Sequence, residues 1–429
     1  AGSLDRNFTA DVHLGNGTVI PGVSLYSGKG LSSRYLVPLV YGGNASRTND
    51  SSLAPYCIPG SLDPKVVKGK IVLCENGNGG VQEGIVVRKA GGVGMIVNGD
   101  GFVGEAYTLP ASNVNQSAGA LILQYIQSTK NPTATITFRG TQLGVQPAPN
   151  VAFFSSRGPN YITPEILKPD LIAPGLNILA AWTGATREER RRTEFNIISG
   201  TSMSCPHVSG IAALLKAVHP EWSPAAIKSA LMTTAYTHDL RIQETILDEA
   251  TGMSSTPFVF GAGHVDPERA ADPGLIYDLG VNDYVAFLCT INYTAQAIRI
   301  ITNTNVTCPA RGGQLGNFNY PAFSSVFNLN RSSALSTSFS RTVTNVGPPV
   351  STYRATVIAP VGAVVTVKPR ILRFTKKDEK LSFVLNVKAM SLNIQQGAPV
   401  STHGLLSWSD GQHVVQSPIL VTVENIPSK

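Results

Sequence analysis

The stretch from Phe195 to Gly210 constrains the fold of this chain more than any other. Phe195–Ile198 predicts a short buried strand, and Gly200 permits a tight turn directly after it. Apolar residues then recur at helical spacing, at Val208, Ile211, Ala212 and Leu215. The stretch therefore predicts a strand, a glycine turn and a helix, with Ser202 at the point where the helix begins.

The position of Ser202 favours nucleophilic chemistry. A helix N-terminus leaves backbone N–H groups unpaired and carries partial positive charge. A hydroxyl there can attack a carbonyl while these N–H groups face the developing oxyanion. We expect Pro206 in the first turn, where a missing N–H costs nothing. The alternative is that Ser202 only caps a core helix, as most serines at helix starts do.

The residues around Ser202 also resemble a known motif. Gly200-Thr201-Ser202-Met203, followed by Pro206-His207-Val208 and Gly210, resembles the nucleophile motif of the subtilisin-like serine proteases, and Ser204 and Cys205 resemble its plant branch, the cucumisin-like subtilases. The resemblance implies that Ser202 is the nucleophile and that its own backbone N–H forms half of the oxyanion hole. His207 is a poor general base for it, because five residues along a helix turn a side chain well away.

Composition excludes several other classes of protein. With 42% hydrophobic and 14% charged residues, the chain is globular, and 429 residues suggest about three domains. The net charge of +7 is modest, and no stripe of Lys and Arg interleaved with aromatic residues occurs, so we expect no nucleic-acid partner. No apolar run is long enough to cross a bilayer, so we expect no membrane partner. No signal peptide occurs within the sequence.

Glycosylation acceptors and cysteines favour secretion. The pattern N-x-Ser/Thr gives eight candidate glycosylation sites, at Asn7, Asn16, Asn44, Asn49, Asn115, Asn292, Asn305 and Asn330. Disulfides Cys57–Cys74 and Cys289–Cys308 would close two short loops and leave Cys205 as a free buried thiol, which fits an oxidising compartment. The alternative is five reduced core cysteines. By family resemblance, the compartment is the plant extracellular space.

The first 143 residues suggest two segments. Residues 1–8 and 12–17 alternate like a hairpin that turns at Asn16-Gly17, and Ser3-Leu4-Asp5-Arg6 is similar to a segment that leads out of a central catalytic strand in plant subtilases. Residues 1–24 are therefore expected to be a segment of the catalytic domain. Residues 25–143 form a predicted α/β unit that resembles the inserted protease-associated (PA) domain, which implies substrate access or a homodimer contact.

Local patterns define the elements of this α/β unit. Strands are predicted at 70–74, 94–97 and 133–138, and a helix at 81–90. A second helix is predicted with one face made of Ala118, Leu121, Ile122, Tyr125 and Ile126. Several glycines suggest a nucleotide loop, but no G-x-G-x-x-G opens a helix after a strand, so we expect no nucleotide.

Residues 144–310 are expected to contain the C-terminal part of the catalytic domain, with sheet strands in 149–159 and 167–175. Asp170 could suggest a triad carboxylate, but the resemblance places it in the loop before a sheet strand. His264, close to Asp266, could also suggest catalysis, but the resemblance places it in a structural turn and helix start. A charge run at 186–194 is expected to be a solvated loop, the alternative being a lip that favours acidic substrates. Ser223-Pro224 predicts a capped helix start, with Ile227, Ala230 and Leu231 on the buried face.

The last expected domain is residues 311–429. From about Gly316 its sequence alternates with period two, and Asp410-Gly411 predicts a hairpin turn. Short alternating strands separated by turns predict a β-sandwich. The segment resembles the fibronectin-III-like domain that ends plant subtilases. The predicted fold class is therefore α/β: a subtilisin-like parallel-sheet catalytic domain with an inserted PA domain and a C-terminal sandwich.

The predicted function is secreted endopeptidase activity through an acyl-enzyme on Ser202, on protein or peptide substrates, with no cofactor and no metal. In the family, the triad Asp and His and the oxyanion Asn precede the segment at residues 3–6, so we expect an upstream polypeptide to supply them. Losing the His alone costs a subtilisin on the order of 10⁶ in turnover, so this chain alone should be nearly inactive. Two alternatives are a silent derivative used for binding, defence or storage, and a sequence that lacks its first half.

Overall fold

The computed structural model describes residues 1–32, 35–47, 52–77, 79–184, 193–239, 241–309, 313–329, 335–390 and 399–425. The chain divides into two compact units. The first contains Ala1–Phe153 and Pro174–Met203, and the second contains Phe154–Ala173 and Ser204–Lys429. The run of arginines in the charged segment, Arg187 and Arg190–Arg192, lies outside the described residues, so its predicted role as a loop or lip stays untested.

The first unit is built on one mixed sheet of seven strands. Its strands run β1 (Arg6–Leu14), β2 (Val19–Ile20), β3 (Val37–Tyr41), β4 (Ile71–Glu75), β5 (Gly94–Gly99), β6 (Ala111–Asn115) and β7 (Thr133–Leu143). The sheet order is β2-β1-β7-β3-β4-β5-β6. Pairing is parallel from β3 to β6 and antiparallel around β1 and β7.

The described part of this unit contains three α-helices, of which the sequence predicted the second and the third. They are α1 (Pro64–Val67), α2 (Val81–Lys89) and α3 (Gln116–Ser128), and a 3₁₀ turn occupies Gly42–Ala45. Asn115 caps α3 by accepting a hydrogen bond from the Ala118 N–H at 2.9 Å. Of the residues predicted to share one face of α3, Ile122, Tyr125 and Ile126 are buried, whereas Leu121 is 57% exposed. Because neighbouring residues of a helix point about 100° apart, the side chains of Leu121 and Ile122 do not both face the core.

The N-terminal hairpin is confirmed. Gly17 takes a φ of +89°, and the Leu14 N–H donates to the Thr18 carbonyl at 2.9 Å. β1 belongs to the same sheet as β7, pairing from Arg6 to Leu143 through to Leu14 to Ala134. The strand thus joins residues of the predicted segment 1–24 to the sheet of the α/β unit, and the domain boundary at residue 24 stays a prediction.

The strands expected in residues 149–159 and 167–175 do not form, and this prediction is wrong. Val151 and Pro174 each make a single bridge to Gly2, and Ile172 makes one to His264. Pro169 and Pro174 lack the N–H that a ladder needs, which explains why the pairing stops at isolated bridges. Consequently, the described part of residues 144–310 contains no parallel ladder.

The strand before Ser202 is confirmed, but its burial is not. β8 (Ile178–Ala181) and β9 (Phe195–Ile198) form a two-stranded antiparallel sheet in the first unit. Phe195 is 61% exposed, and the other residues of β9 are only partly covered. A two-stranded sheet covers little of its own surface, so apolar residues alone did not ensure burial.

The second unit starts with helices. These are the greater part of α4 (Thr201–Val218), then α5 (Pro224–Thr233), α6 (Pro257–Phe260), α7 (Pro267–Ala271), α8 (Val281–Thr290) and α9 (Ala295–Thr302). The predicted cap of α5 is confirmed, because Ser223 Oγ accepts from the Ala226 N–H at 3.0 Å and Pro224 opens the helix. Its expected buried face is nearly right, with Ala230 and Leu231 buried and Ile227 partly so.

The predicted β-sandwich is confirmed in the second unit. Its strands are β10 (Leu275–Tyr277), β11 (Phe323–Asn328), β12 (Ser336–Asn345), β13 (Ser351–Ile358), β14 (Ala363–Lys368), β15 (Ile371–Phe374), β16 (Lys380–Ala389), β17 (Val400–Ser409) and β18 (Val414–Glu424). A four-stranded sheet, β10-β12-β16-β14, faces a five-stranded sheet, β11-β18-β17-β13-β15. The core between them contains Phe323, Phe339, Tyr353, Phe383 and Trp408, each almost fully buried.

Strand β10 was not foreseen as part of the sandwich. It lies before residue 311, yet Leu275 pairs with Asn345 and Tyr277 pairs with Val343. Tyr277 is fully buried in the sandwich core, and its hydroxyl hydrogen-bonds with Ser417 Oγ at 3.0 Å. The sandwich therefore takes one strand from the helical segment that precedes it.

Candidate active site

Ser202 is the second residue of α4, as predicted from the sequence. The turn that precedes it is fixed by backbone hydrogen bonds: the Gly200 N–H donates to the Gly175 carbonyl at 2.9 Å, and the Met203 N–H donates to the Gly200 carbonyl at 3.0 Å. The Ser202 side chain is exposed. Its hydroxyl and backbone N–H therefore lie at the positive end of an 18-residue helix, accessible to a substrate.

No general base reaches Ser202 within the described residues. Its hydroxyl has no hydrogen-bond partner there. His207 is in the same helix, but five residues at about 100° each place it roughly 140° around the axis. This helix geometry is the reason why His207 was predicted to be a poor general base for Ser202.

Pro206 does not lie in the first turn, and that prediction is wrong. The helix begins at Thr201, so Pro206 is its sixth residue, inside the helix. An N–H at this position would bond to the carbonyl of Ser202, and proline has none. The Ser202 carbonyl therefore lacks the N–H donor that residue 206 would supply in an ordinary helix.

Asn177, which the sequence did not single out, supports the turn before Ser202. It has a φ of +55° and is 3% exposed. Its N–H donates to Ser199 Oγ at 2.8 Å, and Ser199 Oγ in turn donates to Asn177 Oδ1 at 3.2 Å. The sequence signal was slight: Asn is among the few residue types that tolerate a left-handed backbone.

The body of α4 packs in the second unit. Leu215 is buried with Ala173, Leu231, Val265 and Ala270, and Ser204 Oγ donates to the Ala173 carbonyl at 2.8 Å. A groove of about 440 Å³ lies between α4 and α5 and includes Cys205, Val208 and Leu231 among its lining. Apart from Ser204 and Leu215, no residue of α4 is fully buried.

The cysteines pair as predicted, with one correction. Cys57 bonds to Cys74 and Cys289 bonds to Cys308, with Cα atoms 5.8 and 5.5 Å apart. Cys205 is the free cysteine, but it is exposed and not buried as predicted. It lies about 80° around the helix axis from Leu215 and lines the groove between α4 and α5, so the apolar character of a thiol did not determine its burial.

Asp170 has a structural role. Its carboxylate pairs with Lys168 and with Lys228 Nζ, the latter at 3.4 Å, and accepts a hydrogen bond from the Tyr320 hydroxyl. Burial raises the pKa of Asp170, but the two lysines outweigh burial and hold the pKa below its ordinary value. These contacts agree with the structural interpretation of Asp170.

His264 is also structural. It is 7% exposed, its Nδ1 lies 3.2 Å from the Val265 carbonyl, and its ring lies 5.0 Å from that of Tyr236. Burial lowers the pKa of His264 to about 4, so the ring is neutral at pH 7. Asp266 caps α7 by accepting from the Arg269 N–H at 3.1 Å. The predicted turn and helix start are confirmed.

A His–carboxylate cluster occurs in the sandwich. His413 is 6% exposed, with Nδ1 2.9 Å from Asp410 Oδ2 and Nε2 3.1 Å from Asp272 Oδ2. Burial lowers the pKa of His413, but the two carboxylates outweigh burial and raise it. The cluster joins the β17–β18 hairpin to the segment before β10.

The candidate glycosylation sites have exposed or partly exposed side chains where they can be assessed. Asn16, Asn44, Asn115, Asn292 and Asn305 are exposed, and Asn7 is partly buried with its Oδ1 accepting from the Phe8 N–H. Asn49 and Asn330 lie outside the described residues. Across the described ranges, no cluster of three or more His, Cys, Asp or Glu could hold a metal ion, and no helix has the length and apolar character needed to cross a membrane.

Two family profiles and several plant proteins match this chain. A profile of the subtilase family matches residues 44–263, and a fibronectin type-III domain profile matches residues 317–421. Subtilisin-like protease SBT1.5 of Arabidopsis thaliana is 52% identical over 444 residues, which cover 99% of this chain and 57% of that protein. Subtilisin-like protease SBT1.6 of the same plant is 48% identical, over 98% of this chain and 56% of that protein.

The chain thus spans little more than half the length of the curated relatives it matches. Among solved structures, a psychrophilic subtilisin-like protease from Pseudoalteromonas sp. AS-11 is 17% identical over 63% of this chain and 50% of that chain, with a TM-score of 0.22, too low to support an argument. The family match covers the strand, turn and helix that position Ser202. This chain therefore belongs to the subtilase family of serine proteases, with a fibronectin-III-like domain at residues 317–421.

Proposed function

We propose that this chain is part of a serine endopeptidase in which Ser202 Oγ is the nucleophile. The observation that carries the proposal is the exposed Ser202 side chain at the start of α4, directly after the Gly200 turn. The oxygen attacks the peptide carbonyl, the amine of the peptide leaves, and water then releases the acyl group from Ser202. The backbone N–H of Ser202 donates to the oxyanion formed in each step.

The triad Asp and His and the oxyanion Asn come, in this proposal, from an upstream polypeptide that packs with the chain. Two observations support it. The chain covers 57% of its relative SBT1.5. Several of its large apolar side chains are also more exposed than we expect in a complete catalytic domain. In the first unit these are Leu179 at 55% and Phe195 at 61%, and in the second unit Leu214 at 66% and Val218 at 62%. Without the upstream His, turnover would fall by roughly 10⁶, so the chain alone would be almost inactive.

The domain organisation follows the same proposal: a catalytic segment at 1–24, a protease-associated domain at 25–143, the catalytic domain resumed at 144–310, and the fibronectin-III-like domain at 311–429. Five of the seven strands of the sheet, β3 to β7, lie between Val37 and Leu143, which supports an α/β unit in residues 25–143. The other two, β1 and β2, come from the segment 1–24 and complete the same sheet. In this role the unit controls substrate access or contacts a second copy of the enzyme.

We also propose that the protein is a secreted plant glycoprotein. Two disulfide bonds fit an oxidising compartment, and five of the described acceptor asparagines are exposed to solvent. The relatives SBT1.5 and SBT1.6 come from a plant. Treatment with peptide N-glycosidase should lower the mass of the natural protein, and an unchanged mass would contradict glycosylation.

Hydrolysis of a fluorescent protein substrate tests the activity. The chain, co-expressed with its upstream polypeptide, should cleave the substrate, and Ser202→Ala should lose turnover by a factor on the order of 10⁶. Ser209→Ala is the matched control, because it removes an exposed serine of the same helix and should keep activity. Equal activity of the Ser202→Ala variant and the wild type would overturn the proposal. No hydrolysis by the complete complex would instead favour the catalytically silent binding protein.

A further inference from the structure

The side chain of Asn177 connects two parts of the first unit. Towards the nucleophile, Asn177 and Ser199 exchange hydrogen bonds, N–H to Oγ at 2.8 Å and Oγ–H to Oδ1 at 3.2 Å. Towards the α/β sheet, Asn177 Oδ1 accepts from the Gly104 N–H at 2.8 Å and Nδ2 donates to the Phe102 carbonyl at 2.9 Å. A single buried amide thus satisfies backbone groups of the loop and the hydroxyl three residues before Ser202.

The loop at residues 100–104, which Asn177 contacts, has further hydrogen bonds of its own. Asp100 Oδ1 accepts from the N–H groups of Phe102 and Val103, both at 2.9 Å. Asn113, in β6 and 4% exposed, donates to Asp100 Oδ1 and to the Val103 carbonyl, both at 3.1 Å. We name Asp100, Phe102, Gly104, Asn113, Asn177 and Ser199 the Asn177 network.

We propose that Asn177 is a positioning residue that couples the loop 100–104 of the α/β unit to the turn that presents Ser202. The proposal rests on the proposed function, because it assigns Asn177 to the nucleophile of that reaction. Direct hydrogen bonds connect Asn113 in β6, the loop 100–104, Asn177 and Ser199. Gly200, the next residue, donates its N–H to the Gly175 carbonyl. A displacement of the loop would therefore move the Ser202 backbone and hydroxyl relative to a bound peptide.

The conformation of Asn177 supports this assignment. Its backbone has a φ of +55°, which most side chains disfavour, and Asn is one of few polar residues that adopt it. The amide presents both an acceptor and a donor, so it can serve the Gly104 N–H and the Phe102 carbonyl together. Few other side chains could both tolerate a left-handed backbone and supply a buried donor and acceptor.

Two variants each remove a different set of hydrogen bonds from the Asn177 network. Asn177→Gly keeps the left-handed backbone and the N–H to Ser199 but removes the amide contacts. Ser199→Ala keeps the amide contacts to the loop but removes the hydroxyl. Asn303→Gly is the matched control, since Asn303 also has a left-handed φ, of +52°, but is exposed at the end of α9.

Hydrogen–deuterium exchange measures the coupling without requiring catalysis. In Asn177→Gly, amides of residues 195–203 and of residues 100–104 should exchange about tenfold faster than in the wild type, because buried hydrogen bonds are lost on both sides. Ser199→Ala should accelerate residues 195–203, and Asn303→Gly should change neither segment. Unchanged exchange at residues 195–203 in both network variants would overturn the proposal.

Labelling by a fluorophosphonate then tests the effect on Ser202 in the complete enzyme. The labelling rate should fall 10- to 100-fold in Asn177→Gly and Ser199→Ala, with a lower kcat and a nearly unchanged KM for a peptide substrate. Equal rates in wild type and both variants would overturn the positioning role. If the wild type does not label at all, the proposed function fails, while the exchange experiment still decides the coupling.

Discussion

Arg341 is predicted to stabilise the junction through which the chain enters the sandwich. It lies in β12, is 3% exposed, and donates to the carbonyls of Tyr320 at 2.9 Å and Ala322 at 3.0 Å. A third donor contacts the Gly316 carbonyl, and the guanidinium lies over the Phe323 ring, 4.9 Å from its centroid. The third donor, Nη1, also donates to the carbonyl of the adjacent Ser340 at 3.0 Å. The planar fork of Arg suits the three carbonyls of residues 316, 320 and 322 in a way that no other side chain matches.

The cost of Arg341→Met can be worked from these contacts. Tyr320 and Ala322 are buried, so their carbonyls would lose their donor where water is excluded, whereas the Gly316 carbonyl is partly exposed and can rehydrate. A buried unsatisfied group costs about 1–3 kcal/mol, so the free energy of unfolding of the sandwich should fall by about 2–6 kcal/mol. Arg341→Lys should be intermediate, because an ammonium group cannot span all three carbonyls.

Hydrogen exchange of β12 and β16 at increasing urea concentration reports the stability of the sandwich by itself. Arg354→Met is the control, since Arg354 is exposed on β13 and its loss should change stability by no more than about 0.5 kcal/mol. A loss below about 0.5 kcal/mol in Arg341→Met would refute the argument that its carbonyl contacts stabilise this junction.

Three further predictions concern single side chains. The pKa of His413 is raised. Protonated His413 therefore stabilises the fold fully below its ordinary pKa of about 6.5, and this stabilisation is lost as pH rises through the raised pKa. From about pH 5 to 9, the melting temperature should fall less with pH in His413→Gln than in the wild type. Replacing the Cys289–Cys308 bridge, with a sequence separation of 19, by two alanines should cost about 3 kcal/mol in urea unfolding. Exposed Cys205 should react with iodoacetamide in the folded protein, as read by intact mass.

Each of these predictions has a plain contradicting result. Identical pH profiles in His413→Gln and the wild type would show that the ring does not titrate against its carboxylates. Unchanged urea stability without the bridge would show that Cys289–Cys308 restrains little of the unfolded chain. Alkylation of Cys205 only in urea would show that the thiol is covered in solution.

The features predicted correctly from the sequence depend on neighbouring residues. The Asn16-Gly17 turn, helix α2, the Ser223 cap and the start of α4 at Thr201, next to Ser202, each follow from periodicity or capping within a few residues. Both disulfides join cysteines close in sequence, which limited the pairing choices. Ser202 could be assigned to the helix start for the same reason, and the family motif then indicated its role.

The features that the sequence missed depend on distant contacts. The pairing of β1 with β7 joins residues more than a hundred positions apart, and β10 enters a sandwich sheet from outside its predicted boundary. Asn177 contacts Gly104, 73 positions away. Burial of Phe195 and Cys205 likewise depends on what packs against them, which hydrophobicity alone does not specify. Local patterns therefore placed Ser202 at a helix start but did not indicate the Asn177 network.

Active-site labelling followed by peptide mapping tests the central claim most directly. The protein is purified under conditions that retain any accompanying polypeptide, treated with a fluorophosphonate, and analysed by intact mass and then by digestion. The account predicts one adduct, on Ser202, together with a second polypeptide. An adduct on another serine, or none when the upstream polypeptide is present, would contradict the claim that Ser202 is the nucleophile.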